Sequence, residues 1–285
     1  MTSTLSPQKE LFDLNYQGKT SQLHLHLQVS RNSLFAAYFD SIKNQYLSLK
    51  TYSFGVSKTW DLAVPSIKTA IEGFQKNQPK TAHLSFTDTL FTLVPSSLFD
   101  EKQIDTYLKF NHSQNDFSSY QLTYNRLLNE EVVIAAAIPK SILQLFKSAF
   151  SDLKYYHFGW PLLEAFLIDQ KEATCLSLHI QESRFDVVYK KGGKLYFFNS
   201  FDYQSVEDLL YFLLYVMEQL KIDREKIPVI VYGEFEKNTN LYEMLHRYIR
   251  EIKIGERPKQ AAFSQVLSTI PSQYYHVLFN QHLCE

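Results

Sequence analysis

A strand pattern that occurs twice along the chain constrains its fold more than any other sequence feature. The segment LHLQVSRNSLFAAY begins at Leu25 and aligns with LSLHIQESRFDVVY, which begins at Leu176, after a shift of 151 residues. Apolar residues alternate with polar residues in both segments, which indicates half-buried strands. A polar turn divides each segment into two strands, and a third strand follows each segment at nearly the same distance. The sequence therefore predicts two related three-stranded meanders.

Each meander is followed by a helix and one further strand. In the first copy, apolar residues recur at helical spacing over 60–75, and a strand follows at 80–86. In the second copy, the helix covers 205–221 and the strand covers 228–232. Pro65 would lie one turn inside the first helix if Thr59 or Asp61 caps it, which leaves a later start near Val64 as an alternative. The predicted unit is three strands, a helix and a strand, present twice.

This element order resembles the ribonuclease-H-like fold, and two such subdomains in tandem resemble the actin-like ATPase superfamily. More narrowly, the chain resembles an uncharacterised bacterial family, a domain of unknown function with a degenerate actin-like fold. The resemblance implies an α/β fold with one ribonuclease-H-like subdomain at 1–155 and a second at 156–271. It also implies that the C-terminal segment 272–285, predicted to be helical near 272–282, returns to pack on the first subdomain.

The turns that bind phosphate in active members of that superfamily differ in this chain. Active members place glycines and a carboxylate after the first strand of each subdomain, where they hold phosphate and Mg²⁺. The corresponding turns, 30–33 and 181–184, contain no glycine. Glu182 and Gly233, which follows the strand 228–232, are the nucleotide-binding candidates of the alternative function. A simpler interpretation is that Glu182 is a solvated turn residue and Gly233 an ordinary turn glycine. No catalytic residue is predicted.

Two further motifs suggest binding sites but are incomplete. Gly18, Lys19 and Thr20 resemble the end of a P-loop, but a strand follows them and the first glycine of the motif is missing. His24 and His26 lie on one face of a predicted strand and could bind a metal. The spacing suggests no third ligand, so we expect a polar outer face and predict no metal site.

Two aromatic segments have alternative explanations. The cluster at 155–161 includes Tyr156, His157 and Trp160 and lies near the predicted subdomain boundary. It either wedges the two halves together or lines the cleft between them, where ligands of two-lobed proteins bind. The helix at 205–221 is apolar on nearly all its faces, which favours burial over a partner surface.

Composition excludes several classes of protein. The net charge is -1, so the chain lacks the basic excess of a general nucleic-acid binder. Its longest apolar run, 209–217, is far shorter than the roughly 20 residues of a membrane-spanning helix. The two cysteines cannot form a disulfide framework, which favours a reduced, cytoplasmic protein. Only 8 glycines are present, and phosphate-binding loops need glycine for close backbone approach.

The sequence therefore favours a non-catalytic, cytoplasmic protein-interaction or scaffold protein with a degenerate actin-like fold. The alternative is a nucleotide-binding protein or weak ATPase that uses the interdomain cleft, and a third possibility is a small-molecule sensor. We expect a protein partner, no nucleic acid, no membrane insertion and no cofactor. The sequence leaves the oligomeric state and the identity of the partner open.

Overall fold

The chain divides into two structural units in the computed structural model, which describes residues 6–14, 22–55, 59–74, 79, 81–128, 131–169 and 172–284. Unit 1 contains Met1–Leu162, Lys259–Thr269 and Val277–Glu285, and unit 2 contains Leu163–Pro258 and Ile270–His276. The predicted domain limits at 155 and 156 stay a prediction. The boundary between the two compact units lies later in the chain, between Leu162 and Leu163.

Sixteen strands and six α-helices are present among the described residues. The strands are β1 (Lys9–Phe12), β2 (Leu23–Val29), β3 (Ser33–Asp40), β4 (Gln45–Tyr46), β5 (Ser48–Ser53), β6 (Thr81–Phe86), β7 (Phe91–Pro95), β8 (Tyr120–Arg126), β9 (Val132–Pro139), β10 (Leu153–His157), β11 (Cys175–Gln181), β12 (Arg184–Lys191), β13 (Lys194–Asp202), β14 (Pro228–Gly233), β15 (Glu251–Ile254) and β16 (Ala262–Phe263). The helices are α1 (Trp60–Glu72), α2 (Ile104–Asn111), α3 (Lys140–Ala149), α4 (Gly159–Asp169), α5 (Val206–Gln219) and α6 (Asn240–Tyr248).

Both units contain a five-stranded arrangement with the same order and directions. In unit 2 the order is β13-β12-β11-β14-β15, with the first three strands antiparallel and the last two parallel to β11. In unit 1 the equivalent strands follow the order β5-β3-β2-β6-β10 with the same directions. The duplicated α/β architecture predicted from the sequence is therefore confirmed as two ribonuclease-H-like subdomains in tandem.

The alternation along the first strand of each unit places its apolar side chains in a core. Leu25 and Leu27 on β2 are fully buried in a cluster that includes residues of α1 and α3. Leu176 and Leu178 on β11 are fully buried in a second cluster, with residues of α5 and α6. Because neighbouring residues of a strand point to opposite faces, this burial sets the register of each sheet.

Helix α1 begins at its first predicted residue and not at the alternative start near Val64. The helix starts at Trp60 and contains Pro65 in its interior. The Trp60 indole N–H donates to the Asp88 carboxylate at 2.6 Å, which anchors the first turn. Pro65 removes only the N–H that would bond to the carbonyl of exposed Asp61. The tertiary contact therefore decides where this helix begins.

Unit 1 has features beyond the repeated five-stranded arrangement. A small sheet of order β7-β9-β8 packs with α2 around a separate apolar cluster. Strand β1 pairs with β5 and forms the edge of the sheet, and β16 pairs with β4. The segment 96–111 contains two 3-10 turns followed by α2, and the Asp100 side chain accepts from the N–H of Lys102 at the second turn.

The predicted C-terminal α-helix near 272–282 is wrong in its secondary structure. Turns lead into a 3-10 helix at Leu278–Cys284, and Tyr275 has a φ of 55°. A left-handed residue interrupts an α-helix, so the helical spacing is broken there. Val277–Glu285 belongs to unit 1, where Gln281 donates to the backbone carbonyl of Leu27 at 2.8 Å.

Candidate functional site

The first turn, between β2 and β3, is closed by the side chain of one serine. Ser30 Oγ accepts from the N–H of Asn32 at 3.2 Å and from the N–H of Ser33 at 3.0 Å. The N–H of Ser30 donates to the Ser33 carbonyl at 2.9 Å. A phosphate-binding turn presents such N–H groups to its ligand. Here the hydroxyl of Ser30 takes the place that a phosphate oxygen would have.

A carboxylate that the sequence analysis did not single out follows β6 in the same unit. One oxygen of Asp88 accepts from the Trp60 indole at 2.6 Å, and the other accepts from the N–H of Thr89 at 2.7 Å. The side chain is buried. Both oxygens are therefore engaged by the protein in a way that stabilises α1 and the segment after β6. Only the structure reveals this pairing, since 28 residues separate the two side chains.

In unit 2, an arginine beside the second turn is bound to a buried aspartate. Arg184 donates from Nε and Nη2 to one oxygen of Asp186, at 3.1 and 2.8 Å. Ser200 donates to the same oxygen at 2.7 Å, and His179 contacts the other at 3.0 Å. Arg184 and Asp186 are both buried. The guanidinium is therefore directed into the protein rather than toward the turn between β11 and β12.

The pKa of Asp186 reflects this environment. Burial by itself would raise the pKa of the carboxyl, because burial disfavours the charged form. The charge of Arg184 and the hydrogen bonds from His179 and Ser200 outweigh burial and lower the pKa to about 2. The aspartate is ionised at neutral pH and neutralises the arginine.

The surroundings of the second turn carry negative charge. Tyr203 Oη donates to the Gln181 carbonyl at 2.6 Å, which ties the turn to the end of β13. Burial raises the pKa of Tyr203 to about 12, with further upward contributions from the charges of Glu234 and Glu182. Two carboxylates near this turn disfavour a phosphate there.

The two nucleotide-binding candidates have different surroundings. Glu182 is exposed in the turn between β11 and β12. Gly233 ends β14 with a φ of 88°, and a Cβ at this position would lie 2.0 Å from the carbonyl oxygen of Ile180. The close approach of β14 to β11 therefore requires glycine here on structural grounds. A role of either residue in nucleotide binding stays a prediction.

The three residues predicted to line a cleft are all described in unit 1. His157 is buried, donates from Nε2 to the Asp88 carbonyl at 3.0 Å, and accepts at Nδ1 from the N–H of Gly159 at 3.2 Å. Tyr156 is buried on β10, and half-buried Trp160 meets its ring edge-on at 5.3 Å. Their proposed role in a cleft stays a prediction.

Helix α5 has a buried face and an exposed aromatic face. Its buried residues are Leu209, Leu210, Leu213, Val216 and Met217. Tyr211 and Tyr215 lie on the opposite face with exposed fractions of 65% and 50%, and their rings stack at 6.4 Å. Burial and an exposed aromatic surface, which the sequence offered as alternatives, therefore both occur on this helix.

The histidines of β2 do not form a polar outer face. His26 is fully buried and His24 is half-buried, so the predicted exposure of His26 is wrong. His83 on β6 lies beside both of them, with ring centroids 5.5 and 5.2 Å away. No sequence signal indicated this third histidine, because β6 is distant along the chain. The P-loop-like residues Gly18, Lys19 and Thr20 lie outside the described residues.

The part of the chain that the structure describes contains no helix long and apolar enough to cross a membrane. A search of curated proteins gave no match to this chain. The chain is similar to a Bacteroides thetaiotaomicron protein with an actin-like ATPase fold and unknown function, at 23% identity and a TM-score of 0.73, covering 83% of this chain and 91% of that chain.

Two further solved structures are similar in fold to this chain. One is a chain of the PilM–PilN type IV pilus biogenesis complex, at 12% identity and a TM-score of 0.62, covering 92% of this chain and 98% of that one. The other is the cytoplasmic domain of EpsL, an inner-membrane component of the type II secretion system of Vibrio cholerae. It has 11% identity and a TM-score of 0.50, covering 92% of this chain and 94% of that one.

The family profile described as "Protein of unknown function (DUF3822)" matches residues 13–252, most of the chain. Both ribonuclease-H-like sheets have strands in this range. The chain therefore belongs to the DUF3822 family and has an actin-like ATPase fold.

Proposed function

We propose that this protein is a non-catalytic, cytoplasmic protein-interaction or scaffold protein that does not turn over nucleotide. The observation that carries the proposal is the closure of the two turns that would bind phosphate. Ser30 Oγ accepts the N–H groups of the first turn, and Arg184 beside the second turn is held by Asp186. These donors are therefore not offered to an anion, and Glu182 and Glu234 add negative charge near the second turn.

Solved structures of similar fold support a role in protein binding. Chains of this fold include one from a PilM–PilN complex and a component of a type II secretion system. Tyr211 and Tyr215 provide an exposed, stacked aromatic pair on α5. Tyrosine is enriched at protein interfaces because it buries a large rigid area at low entropic cost. We place the partner surface on this face of α5.

Nucleotide binding is tested by adding MgATP or MgADP to the full-length protein and measuring heat of binding, thermal midpoint and phosphate release. We expect no saturable binding, an unchanged midpoint, and phosphate release no higher than that of a heat-denatured sample. Saturable binding that Glu182→Gln weakens would overturn the proposal in favour of a nucleotide-binding protein. Glu182 is exposed, so this variant is expected to fold normally.

Protein binding is tested by purifying the tagged protein from native cells and measuring co-purified proteins quantitatively. The test variant is Tyr211→Ser with Tyr215→Ser. The matched control is Leu62→Ser, because Leu62 is 70% exposed on α1, the helix equivalent to α5. We expect the double variant to lose a specific partner at least about tenfold, the loss typical of an interface anchor. Equal recovery of that partner by wild type, double variant and control would contradict the proposed surface.

A further inference from the structure

Three histidines meet at the start of β2 and β6 in unit 1. The two strands are parallel neighbours, and their register places His26 opposite His83. His24 lies two residues before His26, so both point to the same face of β2. One ring nitrogen from each of the three side chains lies within 4.8 Å of the others. The site is at the opposite end of β2 from the turn at Ser30.

Burial distinguishes this cluster from a chance surface group. His26 and His83 are both 0% exposed, whereas His24 is half-buried. Burying imidazoles is costly unless their nitrogens are engaged by hydrogen bonds or by a metal. The partial exposure of His24 gives solvent and ions a route to the cluster.

A tyrosine hydroxyl lies beside one ring nitrogen of His26. The Tyr46 hydroxyl is 2.9 Å from Nδ1 of His26, 3.3 Å from the Leu278 carbonyl and 3.4 Å from Nδ1 of His282. When the hydroxyl donates to the carbonyl, it accepts from Nδ1–H of His26. The lone pair of His26 is then on Nε2, the form in which imidazole binds a metal. Such an orienting partner behind a ligand histidine is typical of metal sites.

We propose that His24, His26 and His83 bind one divalent cation of the zinc class, with a fourth position for water. Three neutral imidazole nitrogens suit Zn²⁺ and its analogue Co²⁺, whereas Mg²⁺ and Ca²⁺ prefer oxygen. Tetrahedral bonds of about 2.0–2.1 Å place ligand nitrogens about 3.4 Å apart. The ring nitrogens lie within 4.8 Å of one another, so metal binding must bring the widest pair closer by up to about 1.4 Å. The site is independent of the function proposed above.

The test uses full-length protein that has been treated with a chelator and then titrated with Co²⁺ or Zn²⁺. We expect one equivalent of Co²⁺ to give the visible absorption of a tetrahedral site, Zn²⁺ to displace it, and Zn²⁺ to raise the thermal midpoint. His24→Gln, at the half-buried ligand, should weaken binding at least about 100-fold. Tyr46→Phe should weaken it about 10- to 100-fold, the usual loss when the partner of a ligand histidine is removed. His246→Gln, at an exposed histidine of α6, should bind as wild type does.

Acidification provides a further readout, since imidazole must be deprotonated to bind the metal and affinity should fall as pH is lowered. Circular dichroism establishes that each variant is folded before binding is compared. Absence of stoichiometric Co²⁺ and Zn²⁺ binding by the wild type would overturn the proposal. Binding that folded His24→Gln and Tyr46→Phe retain at wild-type affinity would also overturn it, because the metal would then be held elsewhere.

Discussion

The buried carboxylate of Asp186 in unit 2 keeps its charge because Arg184, His179 and Ser200 surround it. Its pKa is lowered from the usual value near 4 to about 2. A lowered carboxyl pKa contributes stability that is complete above the unfolded-state pKa and is lost as pH falls toward the folded-state pKa. We therefore expect the free energy of unfolding to fall by on the order of 2 kcal/mol between about pH 5 and pH 2 because of this group.

The measurement is denaturant unfolding across this pH range for wild type, Asp186→Asn and the control Asp105→Asn, whose side chain is exposed on α2. Asp186→Asn should be less stable than wild type at neutral pH, because Arg184 loses its partner while still buried. It should also show a shallower loss of stability below about pH 4. If Asp186→Asn and wild type lose stability in parallel on acidification, the assignment of this pKa is wrong.

Gly233 shows how a motif residue and a structural residue are distinguished. Gly233→Ala should destabilise unit 2 by several kcal/mol, because the new Cβ would lie 2.0 Å from a backbone oxygen of Ile180 in a left-handed conformation. Gly192→Ala is the matched control. Gly192 also has a positive φ, 59°, but a Cβ added there would have no atom within 4 Å. It should cost only about 1 kcal/mol. Equal costs in urea unfolding would contradict the packing role.

Residue-level chemistry was the part least predictable from sequence. Glu182 and Gly233 could be selected from their positions in the predicted turns. Asp88 could not, because its partner Trp60 is brought to it only by tertiary packing. His83 was missed for the same reason: β6 becomes the neighbour of β2 through a crossover connection, which spacing within one strand does not reveal.

At the scale of elements, β11 is the strand whose register the sequence predicted most directly. Leu178 alternates with polar residues and is fully buried in the core of unit 2. Leu178→Ala should cost about 2–5 kcal/mol of unfolding free energy, the range for a cavity left by a buried leucine. Leu62→Ala, at a leucine that is 70% exposed on α1, should cost less than about 0.5 kcal/mol. Similar costs at both positions would mean that β11 presents its other face to the core.

Element prediction succeeded where periodicity was long and failed where partners decide the conformation. The longer strands, such as β2, β11 and β12 with 7, 7 and 8 residues, carry enough alternation to be recognised. Strand β1 has four residues and β16 has two. They are strands because β5 and β4 pair with them, and Glu10 on β1 also forms an ion pair with Lys50 at 2.9 Å. Short segments of this kind have no sequence period to detect.

At the scale of the whole molecule, the repeated element order was sufficient to predict the doubled ribonuclease-H-like architecture. Burial of an apolar face on each sheet leaves few ways to arrange three antiparallel strands, a helix and a returning strand. The interruption of the C-terminal segment was not predictable, because the apolar spacing of an α-helix and that of turns followed by a 3-10 helix are similar over so few residues.

The last segment of the chain is expected to stabilise unit 1, although unit 2 precedes it in sequence. Gln281 is fully buried, donates to the Leu27 carbonyl and to Ser85 Oγ, and accepts from Tyr156 Oη at 3.2 Å. Gln281→Leu would leave these buried polar groups without their partner, at a cost of about 1–3 kcal/mol. Gln144→Leu, at an exposed position of α3, should have little effect.

Tryptophan fluorescence measures this effect in unit 1 directly. The chain has 2 tryptophans, Trp60 and Trp160, and both lie within Met1–Leu162. A chain that ends at His276 should unfold at a lower temperature by this signal, since it exposes the core residues that Leu278 and Phe279 cover. Adding the peptide 277–285 should restore part of the loss in a concentration-dependent way, because a ligand that binds only the folded state stabilises it. An unchanged fluorescence midpoint in both the truncated chain and Gln281→Leu would show that this segment contributes nothing to the stability of unit 1.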